Sequence, residues 1–329
     1  MTLSWGLVIG ALSRAAALIH DIFRWLFRRD GLRLTGSNIS VVKQPTVPRP
    51  DHDSFNTRGM DYKPHIEKVL HHSSNAVIAR LKRGVVLKYS RYAWWEHPES
   101  EDVKEAKLAF EVEIEILRVL GDHPRIVQFL GTYEPQGLLF VEAEFGSLQS
   151  FIDRYFDEVS PEEKLKWRWQ ATEAIAYIHE KGVIHSDLRP DNFLLYPAIG
   201  GSKSIRLCDF GGSVYGNLNG GHLPDAGFFD PRKPWVSTEQ TDIFSLGSVF
   251  YSIMEGHWPH RSRHHFTGDD HDRYITEIDQ LFSNSIFPSV DHLDGGAIIQ
   301  GCWNDQYNGA VDILEDHRRL MGGSESGCL

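Results

Sequence analysis

Short runs of apolar residues alternate with polar ones through residues 66–89, in the segments IEKVL, NAVIARL and VVLKYS. This period of two predicts β-strands, and Arg83 and Gly84 between the last two segments predict a hairpin turn. The period becomes helical over residues 101–121, and two more strand-like segments follow, RIVQFLGTYE and GLLFVEAEF. This part of the pattern therefore predicts a small antiparallel sheet accompanied by one helix.

Helical spacing dominates the chain after Gly146. The segment SPEEKLKWRWQATEAIAYIHEKG begins with Ser160 as a predicted N-cap, has Glu163 as the acid of a predicted capping box, and ends at Gly182. Further helices are predicted in TDIFSLGSVFYSIMEG, DGGAIIQGCWND and GAVDILEDHRRLM, and an irregular glycine-rich segment covers residues 211–234. The predicted fold class is α+β, with a small β-rich N-lobe and a larger helical C-lobe.

The first residues of the chain have a pattern of their own. Apolar residues recur at helical spacing through residues 1–29, with arginines at other positions, so an amphipathic helix is predicted. Such a helix packs on the folded domain, lies on a membrane surface or serves as a targeting peptide, and these alternatives stay open. The predicted divisions are an N-terminal helix at 1–35, a linker at 36–61, one folded domain at 62–321 (N-lobe 62–143, C-lobe 147–321) and a flexible tail at 322–329.

The net charge restricts which partners the protein can bind, and the cysteine content indicates the compartment in which it is located. The formal net charge of -11 argues against nucleic acid as a partner, because a phosphate backbone requires a basic face. Three scattered cysteines are too few for a disulfide framework, so we predict a reducing, cytoplasmic location, with peripheral membrane contact through residues 1–29 as an open addition. Cys328 is next to last rather than fourth from the end, so no prenyl anchor is expected there.

Candidate catalytic residues lie in the segment VIHSDLRPDNFLL. It places His185, Asp187 and Asn192 in a loop after a strand-like pair, with Arg189 between the last two. A carboxylate there can accept or orient a hydroxyl proton, and an amide oxygen can bind a hard cation, as phosphoryl transfer to an alcohol requires. The alternative is an ordinary loop, since histidine, aspartate and asparagine also cap turns.

A second aspartate comes directly after an apolar strand in IRLCDFGGS. Asp209 is followed by Phe210 and then by two glycines, which let the backbone fold back. An aspartate at a strand end can bridge magnesium to nucleotide phosphates. The segment HRSRHHFTGDDHD also contains metal-ligand residue types, but no helical or CxxC frame fixes their geometry, and we interpret it as a polar loop.

The succession of HSDLRPDN and DFG resembles the catalytic loop and the magnesium-binding motif of eukaryotic protein kinases. Together with the segment TDIFSLGS, these motifs are most similar in sequence to those of divergent single-domain kinases of filamentous fungi. The resemblance implies a bilobal kinase fold, ATP and Mg²⁺ as cofactors, and a protein as the substrate. It also implies that Asp187 orients the acceptor hydroxyl, that Asn192 and Asp209 hold magnesium, and that Lys88 of VVLKYS contacts the nucleotide phosphates.

The resemblance implies further roles outside these two motifs. The lysine should pair with a helix glutamate, which the family spacing assigns to Glu113, with Glu111 and Glu115 as alternatives. Arg189 should neutralise charge on the transferred group, and Asp242 of TDIFSLG should support the catalytic-loop backbone. The nucleotide should also contact Val77 and the hinge between the lobes, where Val141 is the expected gatekeeper and the backbone of Glu142, Ala143 and Glu144 meets adenine.

Three features depart from the family pattern. The glycine-loop positions hold Leu70, His72 and Asn75, so close approach of backbone amides to phosphates is expected to weaken, with Ser73 and its neighbour Ser74 compensating in part. Serine replaces the arginine that usually follows the catalytic-loop histidine, which argues against control by loop phosphorylation. The acid at the end of the activation segment is Asp230 by spacing, and no arginine partner is present around QYNGAVD.

These observations predict a protein kinase that transfers the terminal phosphoryl group of ATP to a serine or threonine hydroxyl of a protein. Arginine two residues after the catalytic aspartate also occurs in tyrosine kinases, so tyrosine stays an alternative acceptor. The rival class is a pseudokinase scaffold, because the glycine loop is degenerate and the acid–arginine pair is missing from its usual place.

Overall fold

The computed structural model describes residues 65–73, 75–92, 98–133, 137–261 and 268–323. The predicted N-terminal helix, the predicted linker and the end of the predicted tail lie outside these residues, so membrane contact by the first segment stays a prediction. Within the described part of the chain, no helix is both long enough and apolar enough to cross a lipid bilayer.

Five antiparallel strands form the sheet of the N-lobe, in the order β1-β2-β3-β5-β4. They are β1 (Lys68–His72), β2 (Ala76–Lys82), β3 (Val85–Ser90), β4 (Phe129–Tyr133) and β5 (Gly137–Val141). Arg83 and Gly84 form the turn between β2 and β3, as the sequence predicts, and Gly84 adopts the left-handed φ of 82° that such a turn requires. The resulting hairpin puts β3, which carries Lys88, in the middle of the sheet.

The helix of the N-lobe, α1 (Glu101–Leu120), packs its buried face against the sheet. Its buried residues Phe110, Val112 and Ile116 belong to the same apolar core as Val86 and Leu138 of the sheet. The glycine that follows the helix has a φ of 58° and donates its N–H to the carbonyl of Leu117, which ends the helix. One face of α1 therefore points toward β3, where Lys88 is located.

Six helices and two small sheets make up the described part of the C-lobe. The helices are α2 (Leu148–Tyr155), α3 (Pro161–Glu180), α4 (Glu239–Glu255), α5 (Gly268–Ser283), α6 (Gly296–Trp303) and α7 (Ala310–Gly323). The strands are β6 (Val183–Ile184), β7 (Phe193–Pro197), β8 (Lys203–Leu207), β9 (Val214–Tyr215) and β10 (Leu218–Asn219). Strands β7 and β8 form a hairpin, and β10, β9 and β6 form the second sheet.

Two boundaries differ from the sequence prediction. The segment interpreted as a polar loop is helical from Gly268 onward, because Tyr274, Ile278 and Phe282 recur every four residues and are buried in the core. The last helix reaches Gly323, so the first two residues of the predicted tail are helical. The first boundary was missed because the first turn of α5, at residues 268–271, is polar, and the second because glycines at a chain end indicate a tail more often than a helix.

The start of α3 confirms one predicted cap and corrects another. The hydroxyl of Ser160 accepts the N–H of Glu163 at 3.2 Å, as expected of an N-cap. The carboxylate of Glu163 does not return to the cap. Its Oε1 accepts the N–H of Lys203 at 2.8 Å instead, so it connects α3 to the β7–β8 hairpin.

His317 of α7 gives the folded domain a predicted sensitivity to acid. It is buried against the rings of Trp169 and Phe250, and burial, with a smaller contribution from the charge of Arg168, lowers its pKa from 6.5 to about 3. Below pH 6.5 the unfolded chain binds a proton that the folded chain excludes, so the unfolding free energy falls by up to about 1.4 kcal/mol per pH unit.

A His317→Phe variant tests this sensitivity. It is expected to lose less thermal stability than the wild type between pH 7 and pH 5, because it removes the proton-binding group from the unfolded chain. Thermal unfolding followed by circular dichroism at several pH values measures the effect. Equal slopes of Tm against pH in both proteins would contradict the assignment, and a His292→Ala variant, which alters an exposed histidine, serves as the control.

Candidate active site

Lys88 lies between two carboxylates that come from distant parts of the chain. Its Nζ is 2.6 Å from Oε2 of Glu113 on α1 and 2.7 Å from Oδ1 of Asp209 after β8. Glu113 is buried, whereas Glu111 and Glu115 are exposed on the opposite side of α1 and pair with basic residues of the same helix. The structure therefore brings the predicted glutamate to the lysine and leaves both alternatives in solvent.

The three groups influence one another's ionisation. Burial lowers the pKa of Lys88, but the negative charges of Asp209 and Glu113 outweigh it and raise the pKa above its ordinary value. Burial acts in the opposite direction on Asp209, and the charge and hydrogen bond of Lys88 prevail, so the pKa of Asp209 lies below its ordinary value. A charged lysine and an ionised aspartate consequently face the cleft, where the side chain of Asp209 is 47% exposed.

The loop after β6 holds Asp187 and Asn192 against each other. The side-chain amide of Asn192 donates to the backbone oxygen of Asp187 at 2.6 Å and to its carboxylate Oδ2 at 3.0 Å. Both donations come from the nitrogen, so the amide oxygen of Asn192 is turned away from Asp187. This orientation leaves one asparagine oxygen for a cation and Oδ1 of Asp187 for a hydroxyl group.

Asp242 at the start of α4 fixes the backbone of this loop. Its Oδ2 accepts the N–H of His185 at 2.7 Å, and its Oδ1 accepts the N–H of Ser186 at 2.9 Å. His179 of α3 approaches Oδ2 through Nε2 at 2.9 Å. Ser186 has a φ of 67°, a left-handed conformation that costs energy for a residue with a Cβ, and the paired hydrogen bonds to Asp242 hold it there.

Phe210 anchors the turn that follows Asp209. Its buried ring packs edge-on against His185 with the centroids 5.2 Å apart. Asp209 itself has a φ of 66°, and a Cβ on Gly211 would lie only 3.3 Å from the backbone oxygen of Ala109 in α1. The close contact with α1 and the left-handed turn together direct the Asp209 carboxylate toward Lys88.

Comparison with known proteins agrees with this geometry. A family model described as protein kinase domain matches residues 87–306, which is more than half of the chain. The chain belongs to the protein kinase family. It is 33% identical over 155 residues to ribosomal protein S6 kinase 2 beta of Xenopus laevis, and 31% identical over 155 residues to ribosomal protein S6 kinase alpha-3 of Homo sapiens. These matches cover 45% of this chain but only 25% and 21% of the two relatives.

The gatekeeper of this kinase is not the residue predicted from the sequence. Strand β5 pairs with β3 so that Leu138 lies opposite Lys88 and Phe140 lies opposite Val86, and directly paired residues share a face of the sheet. Phe140 is therefore on the cleft side with Lys88, and Val141 points to the other side. The prediction of Val141 as gatekeeper is wrong by one residue, and in a strand such a shift reverses the face.

The hinge residues that follow β5 are held by contacts of their own. The N–H of Glu142 donates to the carbonyl of Gly84 at 3.0 Å, and its carboxylate accepts Nε of Arg80 at 2.8 Å. The carbonyl of Ala143 accepts the N–H of Gly146 at 3.3 Å, and Glu144 is exposed. Val77, the other predicted nucleotide contact, is buried in β2 opposite Tyr89. Adenine binding by this segment stays a prediction.

The turn between β1 and β2 replaces the glycine loop of the family with a compact hairpin. The hydroxyl of Ser73 accepts the N–H of Ala76 at 3.0 Å and donates to its carbonyl at 3.1 Å. The hydroxyl expected to compensate for the missing glycines is thus used inside the turn, and Ser74 lies outside the described residues. Arg91, directly after β3, supports the turn by donating Nη1 to the carbonyl of Ser73 at 3.0 Å.

Arg189 is engaged by two carboxylates in this structure. Its Nη1 donates to Asp225 of the activation segment, and its Nε lies 3.3 Å from Oδ2 of Asp191. The guanidinium is almost fully buried by these contacts. Its predicted role, neutralising charge on the transferred group, stays a prediction, and in the arrangement described it connects the catalytic loop to the activation segment.

An arginine that the sequence analysis missed completes the end of the activation segment. Arg232 binds both oxygens of Asp230, with Nε at 2.7 Å from Oδ1 and Nη2 at 2.9 Å from Oδ2. It also donates Nη2 to the carbonyl of Trp303 at 2.6 Å and Nη1 to the hydroxyl of Ser285 at 3.0 Å. The acid–arginine pair is therefore present, with its arginine two residues after the acid instead of in the distant helical region.

Arg232→Met is expected to destabilise the end of the activation segment. The variant keeps the apolar stem of the side chain but leaves the buried Asp230 carboxylate without its cation, which costs about 3–5 kcal/mol for a buried pair that loses one partner. Thermal unfolding and limited proteolysis across residues 222–238 measure the loss. A Lys233→Met variant, which removes the exposed neighbouring cation, is the control, and equal Tm values for the two variants would contradict the assignment.

Proposed function

We propose that this kinase transfers the γ-phosphoryl group of Mg-ATP to a serine or threonine hydroxyl of a protein substrate. The observation that carries the proposal is the contact of Lys88 with both Glu113 and Asp209, together with the contact of Asn192 with Asp187 in the loop that is hydrogen-bonded to Cys208. The relatives named as ribosomal protein S6 kinases support a protein as the acceptor. Phosphoamino acid analysis of the product distinguishes serine and threonine from tyrosine.

The donor set of the cleft fits a magnesium ion. Lys88 donates a hydrogen bond to Oδ1 of Asp209, which leaves Oδ2 for another ligand. The amide oxygen of Asn192 is turned away from Asp187, because the amide nitrogen makes the hydrogen bond to that residue. Carboxylate and amide oxygens are the ligands that Mg²⁺ prefers, together with phosphate oxygens of a nucleotide. When bound, the ion would neutralise charge on the phosphates of ATP.

The protein residues divide the transfer step between them. The charged Lys88, locked by Glu113, would hold the nucleotide phosphates in position. The acceptor hydroxyl would donate its hydrogen bond to Oδ1 of Asp187, and the hydroxyl oxygen would form a bond to the γ-phosphorus. The bond from that phosphorus to the ADP oxygen would break, and the hydroxyl proton would pass to the Asp187 carboxylate.

Transfer of labelled phosphate by Lys88→Met tests the proposal. The variant is expected to lose about 100-fold or more of the transfer from γ-labelled Mg-ATP to a generic protein acceptor, because it removes a charge that faces the phosphates. Lys82→Met, which changes an exposed lysine of β2, is expected to retain wild-type transfer. Equal transfer by Lys88→Met and the wild type would overturn the assignment of Lys88.

The pseudokinase scaffold is the second candidate, and the compact β1–β2 turn favours it. That turn contains none of the family glycines, and the Ser73 hydroxyl bonds within the turn. Absence of transfer by folded wild-type protein, in both Mg²⁺ and Mn²⁺, would favour the scaffold over the enzyme. Thermal-shift measurements with Mg-ATP would then report whether the cleft still binds a nucleotide.

A further inference from the structure

The glycines after Asp209 allow two parts of the activation segment to approach unusually closely. A Cβ on Gly220 would lie 2.0 Å from the backbone oxygen of Gly211, and a Cβ on Gly212 would lie 2.3 Å from the Cβ of His222. The N–H of Gly220 donates to the carbonyl of Ser213 at 3.0 Å and closes the fold-back. Any larger residue at Gly212 or Gly220 would push the segment outward, so these glycines fix the position of His222.

The position fixed in this way is beside the catalytic aspartate. Nδ1 of His222 lies 3.7 Å from Oδ1 of Asp187, the carboxylate oxygen that Asn192 does not bind. Within the described residues, Oδ1 has no hydrogen-bond partner although it is buried. The imidazole itself is 46% exposed, so it lines the cleft instead of filling the core. A small polar group placed against Oδ1 would also be next to His222.

The basic groups expected at this point are occupied elsewhere. Arg189 is bound to Asp225 and Asp191, and Lys88 is bound to Glu113 and Asp209. In the part of the chain that the structure describes, His222 is the one basic side chain within 4 Å of the Asp187 carboxylate. Its positive charge, when present, also favours the ionised form of Asp209.

We propose that His222 is a further catalytic residue, which donates a ring N–H to the phosphoryl group as it passes to the acceptor held by Asp187. The proposal rests on the proposed kinase function and gives His222 the place that the sequence assigns to Arg189. A donor aimed at an oxygen on which negative charge develops lowers the barrier more than it strengthens ground-state binding. His222 should therefore contribute to kcat and contribute little to the KM for ATP.

Steady-state kinetics of full-length variants test the proposal. His222→Ala is expected to lower kcat about 100-fold with the KM for ATP unchanged, as for removal of a single transition-state donor. His222→Gln and His222→Lys, which keep an N–H donor, are expected to recover part of that loss, and imidazole added to the buffer should raise the activity of His222→Ala. His292→Ala, which removes an exposed histidine paired with Glu255, is the control and should behave as the wild type.

Two results would overturn the role of His222. One is an unchanged kcat for His222→Ala. The other is a lowered kcat that neither imidazole nor the lysine and glutamine variants restore, together with a lowered Tm, because a structural role predicts that pattern. Failure of the kinase proposal is seen separately, as absence of transfer by the wild type.

A second readout does not require turnover. Carbethoxylation by diethyl pyrocarbonate, followed by mass spectrometry of the full chain, reports the access to each histidine. Mg-ATP should protect His222 and leave His292 unprotected, because only the former lies next to the candidate phosphate site. Equal modification of His222 with and without bound Mg-ATP would overturn its placement beside the transferred group, whether or not the protein is active.

Discussion

Asp187→Asn is expected to reduce phosphate transfer by about 1,000-fold or more while leaving the fold intact, since a positioned proton acceptor contributes roughly 100- to 10,000-fold to a rate. Asparagine has nearly the size of aspartate, and its side-chain oxygen can still accept the amide of Asn192, which lies 3.0 Å from Oδ2 in the wild type. The variant loses the negative charge that orients and receives the hydroxyl proton. Transfer of γ-labelled phosphate to a protein acceptor measures the effect.

The Asp187→Asn experiment separates chemistry from binding. Mg-ATP should raise the Tm of the variant as much as that of the wild type, because Lys88, Asn192 and Asp209 are unchanged. An Asp122→Asn variant, at an exposed position after α1, controls for the loss of one charge. Transfer by Asp187→Asn at the wild-type rate would remove Asp187 from the mechanism, and loss of the ATP-dependent Tm shift would show that the substitution damages binding.

The family resemblance pointed to Lys88 in β3 and to Glu113 on the buried face of α1. Local patterns indicated the other residues of the cleft: Asp187 and Asn192 lie in a loop after a strand-like pair, and Asp209 precedes a glycine turn after β8. Such patterns depend on the period of the backbone, which neighbouring residues reveal. Glu113 could be preferred to Glu111 and Glu115 only through the family spacing, and the structure shows the reason, since only that face of α1 points to β3.

Features that depend on contacts between distant segments could not be predicted in the same way. The gatekeeper prediction was wrong because the register of β5 against β3 decides which face Val141 and Phe140 occupy, and the short segment GLLFV is apolar on both faces. The pairing of Asp230 with Arg232 was missed for a different reason. Both residues are in the sequence two positions apart, but nothing in their spacing shows that the side chains turn toward each other and toward Trp303.

The activation segment shows how small residues set a position that sequence patterns do not reveal. Gly-Gly after Phe210 was interpreted as a turn that lets the backbone fold back, and the close approach between Gly212 and His222 adds that a side chain has no room at Gly212. The same fold-back sets Asp225 against Arg189 and so joins the segment to the catalytic loop. The chain departs from the family pattern at the glycine loop and at Ser186. On the C-lobe side of the cleft, the contact between Asp225 and Arg189 holds the activation segment against the catalytic loop.

Asp242→Asn is expected to destabilise the protein and to abolish phosphate transfer. The carboxylate is fully buried and accepts from the backbone amides of His185 and Ser186 and from His179. Asparagine keeps the shape but offers one oxygen and turns an NH₂ group toward a donor, so at least one buried donor loses its partner, at about 2–4 kcal/mol. Ser186 would then relax from its φ of 67° and release the loop that positions Asp187.

Chemical denaturation measures the change in unfolding free energy, and the transfer assay measures the loss of the loop geometry. Glu239→Gln is the matched control, since Glu239 lies in the same first turn of α4 but is half exposed and 3.9 Å from His179, so its exposed pair contributes less than about 1 kcal/mol. Equal stability of Asp242→Asn and Glu239→Gln would contradict the role of Asp242. A larger loss for Asp242→Asn would assign the stabilisation to the buried carboxylate and to the three donors that it accepts, from His179, His185 and Ser186.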